Sequence, residues 1–81
     1  MPQLAIVADD LTGALDAAAP FAARGLSTVV ALSVEGLQAA IDTGAAIVGV
    51  STDSREIPPD SAREAVALCV SKLSGVPIFK K

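Results

Sequence analysis

Short apolar runs alternate with longer mixed segments along the chain. Leu4 to Ala8 (LAIVA) is an apolar run stopped by Asp9-Asp10, which predicts a strand buried on both faces, as parallel sheets require. From Leu11 to Arg24, the residues Leu11, Ala14, Leu15, Ala18 and Ala22 recur at three- and four-residue spacings, which predicts a helix with that face inward. Asp10 is its expected N-cap and Gly25 its stop, and Pro20 predicts a bend near residues 16–20. Thr28 to Leu32 (TVVAL) reads as a second strand. Val34 to Thr43 reads as a short helix with Leu37, Ala40 and Ile41 inward, closed by Gly44.

Ala45 to Val50 (AAIVGV) reads as a third strand, with Ser51-Thr52-Asp53-Ser54-Arg55 as its polar exit. Pro58-Pro59 then breaks the chain. Ser61 with Glu64 fits a capping box, in which hydroxyl and carboxylate satisfy backbone donors at a helix start. That helix is expected to run to about Ser74 with Ala62, Ala65, Val66, Cys69 and Leu73 inward. Gly75 and Pro77 end it, and Val76 to Phe79 begins a fourth strand.

The resulting order β-α-β-α-β-α-β predicts an α/β fold of three layers (α/β/α), its parallel sheet joined by right-handed crossovers. The 81 residues suffice for one domain only. Because no helix follows Lys80-Lys81 to cover the last strand, the domain is expected to be incomplete at its C-terminus. The exposed sheet edge then offers a route to self-association.

Composition narrows the function classes. The chain is 52% hydrophobic with two Phe and no Trp or Tyr, and its mean hydropathy of +0.58 excludes a disordered chain. The hydrophobicity comes from small aliphatic residues, which suits tight helix-on-sheet packing. A net charge of -3 gives no field toward nucleic acid or an acidic membrane. Cys69, the one cysteine, excludes an internal disulfide and reads as core, and the absence of histidine excludes His-based triads. No basic segment precedes an apolar run at the amino terminus, and no uncharged apolar stretch reaches about 18–20 residues. A cytoplasmic protein without membrane or nucleic-acid partners is expected.

Open α/β sheets bind ligands outside the carboxyl ends of their strands. Three polar clusters fall there: Asp9 to Gly13, Ser51 to Arg55, and Lys80-Lys81. They converge best if the strand order is 2-1-3-4, which makes strands one and three neighbours; in a 3-2-1-4 order Arg55 lies two strands from the aspartates. Two carboxylates beside Arg and Lys suit a polyhydroxylated anion, since carboxylates accept from sugar hydroxyls and a guanidinium forks onto a carboxylate or phosphate. The plainer reading makes Asp10 a cap, Asp9 a favourable charge at the helix dipole, and Arg55 and Lys80-Lys81 solvated surface. Neither G-x-G-x-x-G nor G-x-x-x-x-G-K-[ST] occurs. A haloacid-dehalogenase-type phosphatase needs two aspartates separated by one residue, whereas these are adjacent, so that reading stays a runner-up.

Ala8-Asp9-Asp10-Leu11-Thr12-Gly13-Ala14 with Asp16, Gly25-Leu26, Ser51-Thr52-Asp53-Ser54-Arg55 and Phe79-Lys80-Lys81 together resemble the amino-terminal domain of the four-carbon acid sugar kinase family. The resemblance spans the whole chain. It implies that residues 1–81 are part of a domain that binds threonate- or erythronate-type sugar acids. ATP and magnesium are implied on a separate nucleotide-binding domain absent from this chain, so the chain alone is expected to be inactive. Asp9, Asp10, Arg55 and Lys80 match substrate-site positions, with Thr12 and Lys81 beside them. The D-S-T-L-R-G segment that follows the Lys-Lys pair in the family has no counterpart here. A non-catalytic small-ligand module and a truncated remnant are the alternative readings.

Overall fold

The computed structural model describes residues 1–53 and 58–81. Strand β1 (Leu4–Ala8) leads to helix α1 (Leu11–Ala23) and strand β2 (Thr28–Ala31). A 3-10 turn (Val34–Gly36) then enters helix α2 (Leu37–Asp42), strand β3 (Ile47–Ser51), helix α3 (Pro59–Lys72) and strand β4 (Ile78–Lys80). The sheet is parallel throughout. Strands β1 and β3 are buried along their length, whereas the edge strands β2 and β4 are only partly covered. No helix among the described residues is long and apolar enough to cross a membrane.

The strand order is β2-β3-β1-β4, not 2-1-3-4. Strands β1 and β3 are central neighbours, as the polar clusters required, but their places are exchanged. Burial patterning identifies which strands are interior and cannot say which interior strand meets which edge. Connection length accounts for the observed order: the shortest crossover, residues 32–46, joins the adjacent pair β2 and β3. The longer crossovers, residues 9–27 and 52–77, each skip one strand.

Strand alternation divides the core into two clusters. Ala5, Val7, Val48 and Val50 pack with Leu37, Ala40, Ile41, Cys69 and Leu73 under α2 and α3. Ile6 and Ile47 pack with Ala18 and the partly buried Ala17, Phe21 and Val30 under α1. Helices therefore cover both faces, as the right-handed rule demands when the chain reverses direction across the sheet.

Two local readings are corrected. The buried residues of α1 are Ala14 and Ala18, while Leu11 and Leu15 are 37% and 49% exposed and Ala22 is also exposed. The face is rotated because small alanines let the helix approach β3 closely, with Ala17 and Phe21 completing the contact. The helix runs on through Pro20 without interruption, and the proline leaves the Asp16 carbonyl without its usual donor. There is no capping box at α3: the helix begins at Pro59, Pro58 is its N-cap, and no side chain caps it. Proline suits the first helical position because its fixed φ is already helical and the missing N–H has no intrahelical partner to lose. Ser61 is thereby inside the first turn.

Candidate functional site

The carboxyl ends of the two central strands are tied together at one point. The Ala8 carbonyl at the end of β1 accepts from the Thr52 backbone N–H at 2.9 Å and from its Oγ1 hydroxyl at 3.2 Å. Thr52 is itself buried. The next residue, Asp53, has a φ of 53°, in the left-handed region; an aspartate tolerates this better than most residues. On the other flank of β1, the Lys81 backbone N–H donates to the Val7 carbonyl at 2.8 Å, which carries β4 to the same height as β1.

The adjacent aspartates are separated by this architecture. Asp10 is extended and its Oδ1 accepts from the Gly13 backbone N–H at 2.7 Å, capping α1. Asp9 is exposed and faces a cleft of about 410 Å³ between β1, β4 and the first turns of α3. Val7, Val66 and Ala62 form the apolar floor and wall of that cleft; Asp9, Thr52, Arg63, Lys80 and Lys81 supply its polar groups. Lys80 stands in register with Val7, hence on the sheet face that α3 covers. Lys81 follows on the opposite side, its stem passing over Gly13 at the start of α1.

A second cleft, about 420 Å³, lies on the other side of Thr52. Its ionisable residues are Glu35, Asp53 and Glu64, joined by Ser33, Ser61 and Leu68. Backbone hydrogen bonding, and then the Ser33 hydroxyl, hold the Glu35 carboxyl below its usual range, so it stays ionised. Among the described residues, the ionisable groups of the second cleft are all carboxylates, whereas the first sets three cations against one carboxylate, a balance that favours an anion in the first. Among the described residues, no group of three or more His, Cys, Asp or Glu is placed to hold a metal ion.

Residues 4–80 match the family described as the sugar-binding N-terminal domain. The chain belongs to this family. No curated protein and no solved structure matches it. For a sugar-binding N-terminal domain, the first cleft has the right chemistry: a carboxylate to accept from hydroxyls beside an apolar wall for carbon-bound hydrogens.

The structure places Asp9, Lys80 and Lys81 along one cleft, while Asp10 caps α1. Thr12 is exposed on the first turn of α1 and lines neither cleft. Arg55 lies outside the described residues. Sequence reading passed over Thr52 and Arg63 as site residues. The signal for Thr52 was its position directly after a buried strand; Arg63 gave none, because a charged residue on an amphipathic helix reads as solvated surface.

Proposed function

We propose that the first cleft binds a four-carbon sugar acid of the threonate or erythronate type, as the substrate-binding part of an ATP-dependent sugar-acid kinase. The observation that carries this reading is the meeting of Asp9 with Lys80 at the carboxyl ends of adjacent strands, in a chain of the sugar-binding family. Asp9 accepts hydrogen bonds from substrate hydroxyls, while Lys80, with Arg55, holds the carboxylate. Asp10 keeps the Asp9 peptide in place through the cap. Phosphoryl transfer depends on such positioning and charge stabilisation more than on covalent steps. ATP and magnesium are assigned, on the resemblance, to a separate nucleotide-binding domain, and the task of this chain is to bind and orient the sugar acid.

Calorimetric titration of the chain with threonate and erythronate tests the reading. Saturable binding of either acid, with no ATP turnover by the chain alone, is the expected result. Asp9→Asn and Arg55→Ala are each expected to weaken it by about tenfold, the effect of one charge-assisted hydrogen bond. Failure to bind either acid would overturn the reading, and hydrolysis of phosphomonoesters with magnesium would replace it with a phosphatase.

A further inference from the structure

We propose that Arg63, in the second turn of α3, joins Lys80 and Arg55 in selecting an acid over a neutral polyol in this cleft; the inference rests on the sugar-acid reading above. Arg63 and Lys80 occupy opposite walls. Lys80 lies on the sheet face covered by α3, in register with Val7. Arg63 lines the same cleft one turn before Val66, which packs on that face and fixes the rotation of the helix. A carboxylate between the two walls meets a planar fork on one side and a point charge on the other. Lys81 is less suited to this task, because its stem runs over Gly13 toward α1.

The guanidinium is available for a ligand. Among the described residues its ion pair is with Asp60, at 4.0 Å between Nη1 and Oδ1, with side chains 83% and 94% exposed. An exposed pair at that distance contributes little and is readily exchanged. A ligand carboxylate that accepts two parallel N–H bonds from the fork gains both charge and geometry. A polyol of the same skeleton offers that fork no negative charge. Asp9 serves both ligands equally, so discrimination falls to the cationic walls.

The test compares threonate with threitol, which carries a hydroxymethyl group in place of the carboxylate, by calorimetric titration of wild-type, Arg63→Gln, Arg63→Lys and Asp60→Asn chains. Arg63→Gln should weaken threonate binding by about tenfold or more and leave threitol binding unchanged. Arg63→Lys should recover only part of the loss, since an ammonium lacks the fork. Asp60→Asn should change threonate affinity by no more than about twofold, since the exposed pair at 4.0 Å holds the guanidinium only weakly. Wild-type affinity for threonate in Arg63→Gln, or an equal loss for threonate and threitol, would overturn the proposal while leaving the sugar-acid reading intact. A wild-type chain that binds neither compound overturns that reading, and the role of Arg63 with it. Unchanged circular dichroism and melting are expected in every variant, because Arg63 and Asp60 are exposed.

Discussion

A single methyl group added at Gly13 would sit 2.8 Å from the Asp10 Oδ1 that caps α1. Glycine there leaves room for the carboxylate to reach the Gly13 backbone N–H, and so holds the loop carrying Asp9. Losing the cap in Asp10→Ala is expected to cost about 1 kcal/mol, a fall in melting temperature of roughly 4–8 °C for a domain of this size. Gly13→Ala alone should stabilise little or not at all, because the propensity gain of up to about 1 kcal/mol is offset by displacement of the cap. In an Asp10→Ala background the same change should stabilise by the full amount. Thermal melts of the four proteins measure the coupling, and strict additivity would show that the cap and the glycine act independently.

Cys69 carries a second residue-scale consequence. The side chain is fully buried beneath α3, and burial pushes its thiol above the ordinary value of 9.0, with Lys72 pulling weakly the other way. The folded thiol thus ionises after the unfolded one. Stability from the neutral buried thiol is complete below pH 9.0 and is lost as pH rises through the folded value. Unfolding free energy should fall more steeply above that pH in the wild type than in Cys69→Ala. Parallel curves in urea titrations would contradict this account.

At the scale of elements, the close seat of α1 on the sheet depends on alanine. Ala14 and Ala18 are 0% and 3% exposed, whereas Leu15 is half exposed. Ala14→Leu is expected to overpack the interface at a cost of about 1–3 kcal/mol, and Leu15→Lys to stay within about 0.5 kcal/mol, both read from urea midpoints. Hydrophobicity alone assigned Leu11 and Leu15 inward, and here it failed because closeness of approach outweighs side-chain area. The four strands, the three helices and their parallel pairing were legible, since short β-branched runs and turn glycines such as Gly44 fix them locally. Strand order was not, because it depends on how far each crossover reaches. Nor was the start of α3, where Ser61 and Glu64 have capping spacing but Pro59 already occupies the first turn. For the site, Asp9 and Lys80 were legible as polar residues ending apolar runs. The capping task of Asp10 was legible from its place before the first apolar-periodic helix, whereas the place of Arg63 along the cleft became visible only once the rotation of α3 was known.

At the scale of the whole molecule, charge is sorted rather than balanced. The chain carries six cations against nine carboxylates, yet Arg63, Lys80 and Lys81 gather at one cleft while Glu35, Asp53 and Glu64 line the other. These two fields make opposite predictions for an anionic ligand. If the local cations govern encounter, raising ionic strength from about 0.01 M to about 0.15 M, which shortens the screening length from about 30 Å to about 8 Å, weakens threonate binding several-fold. If the net charge of -3 governs it, the same change strengthens binding by screening the repulsion. The first outcome is expected, because Arg63, Lys80 and Lys81 line the cleft proposed to take the carboxylate, whereas Glu35, Asp53 and Glu64 line the other. Threitol, without charge, should be indifferent to salt in either case and so isolates the electrostatic part. A threonate affinity that rises with salt would mean that the cleft does not hold the acid end of its ligand.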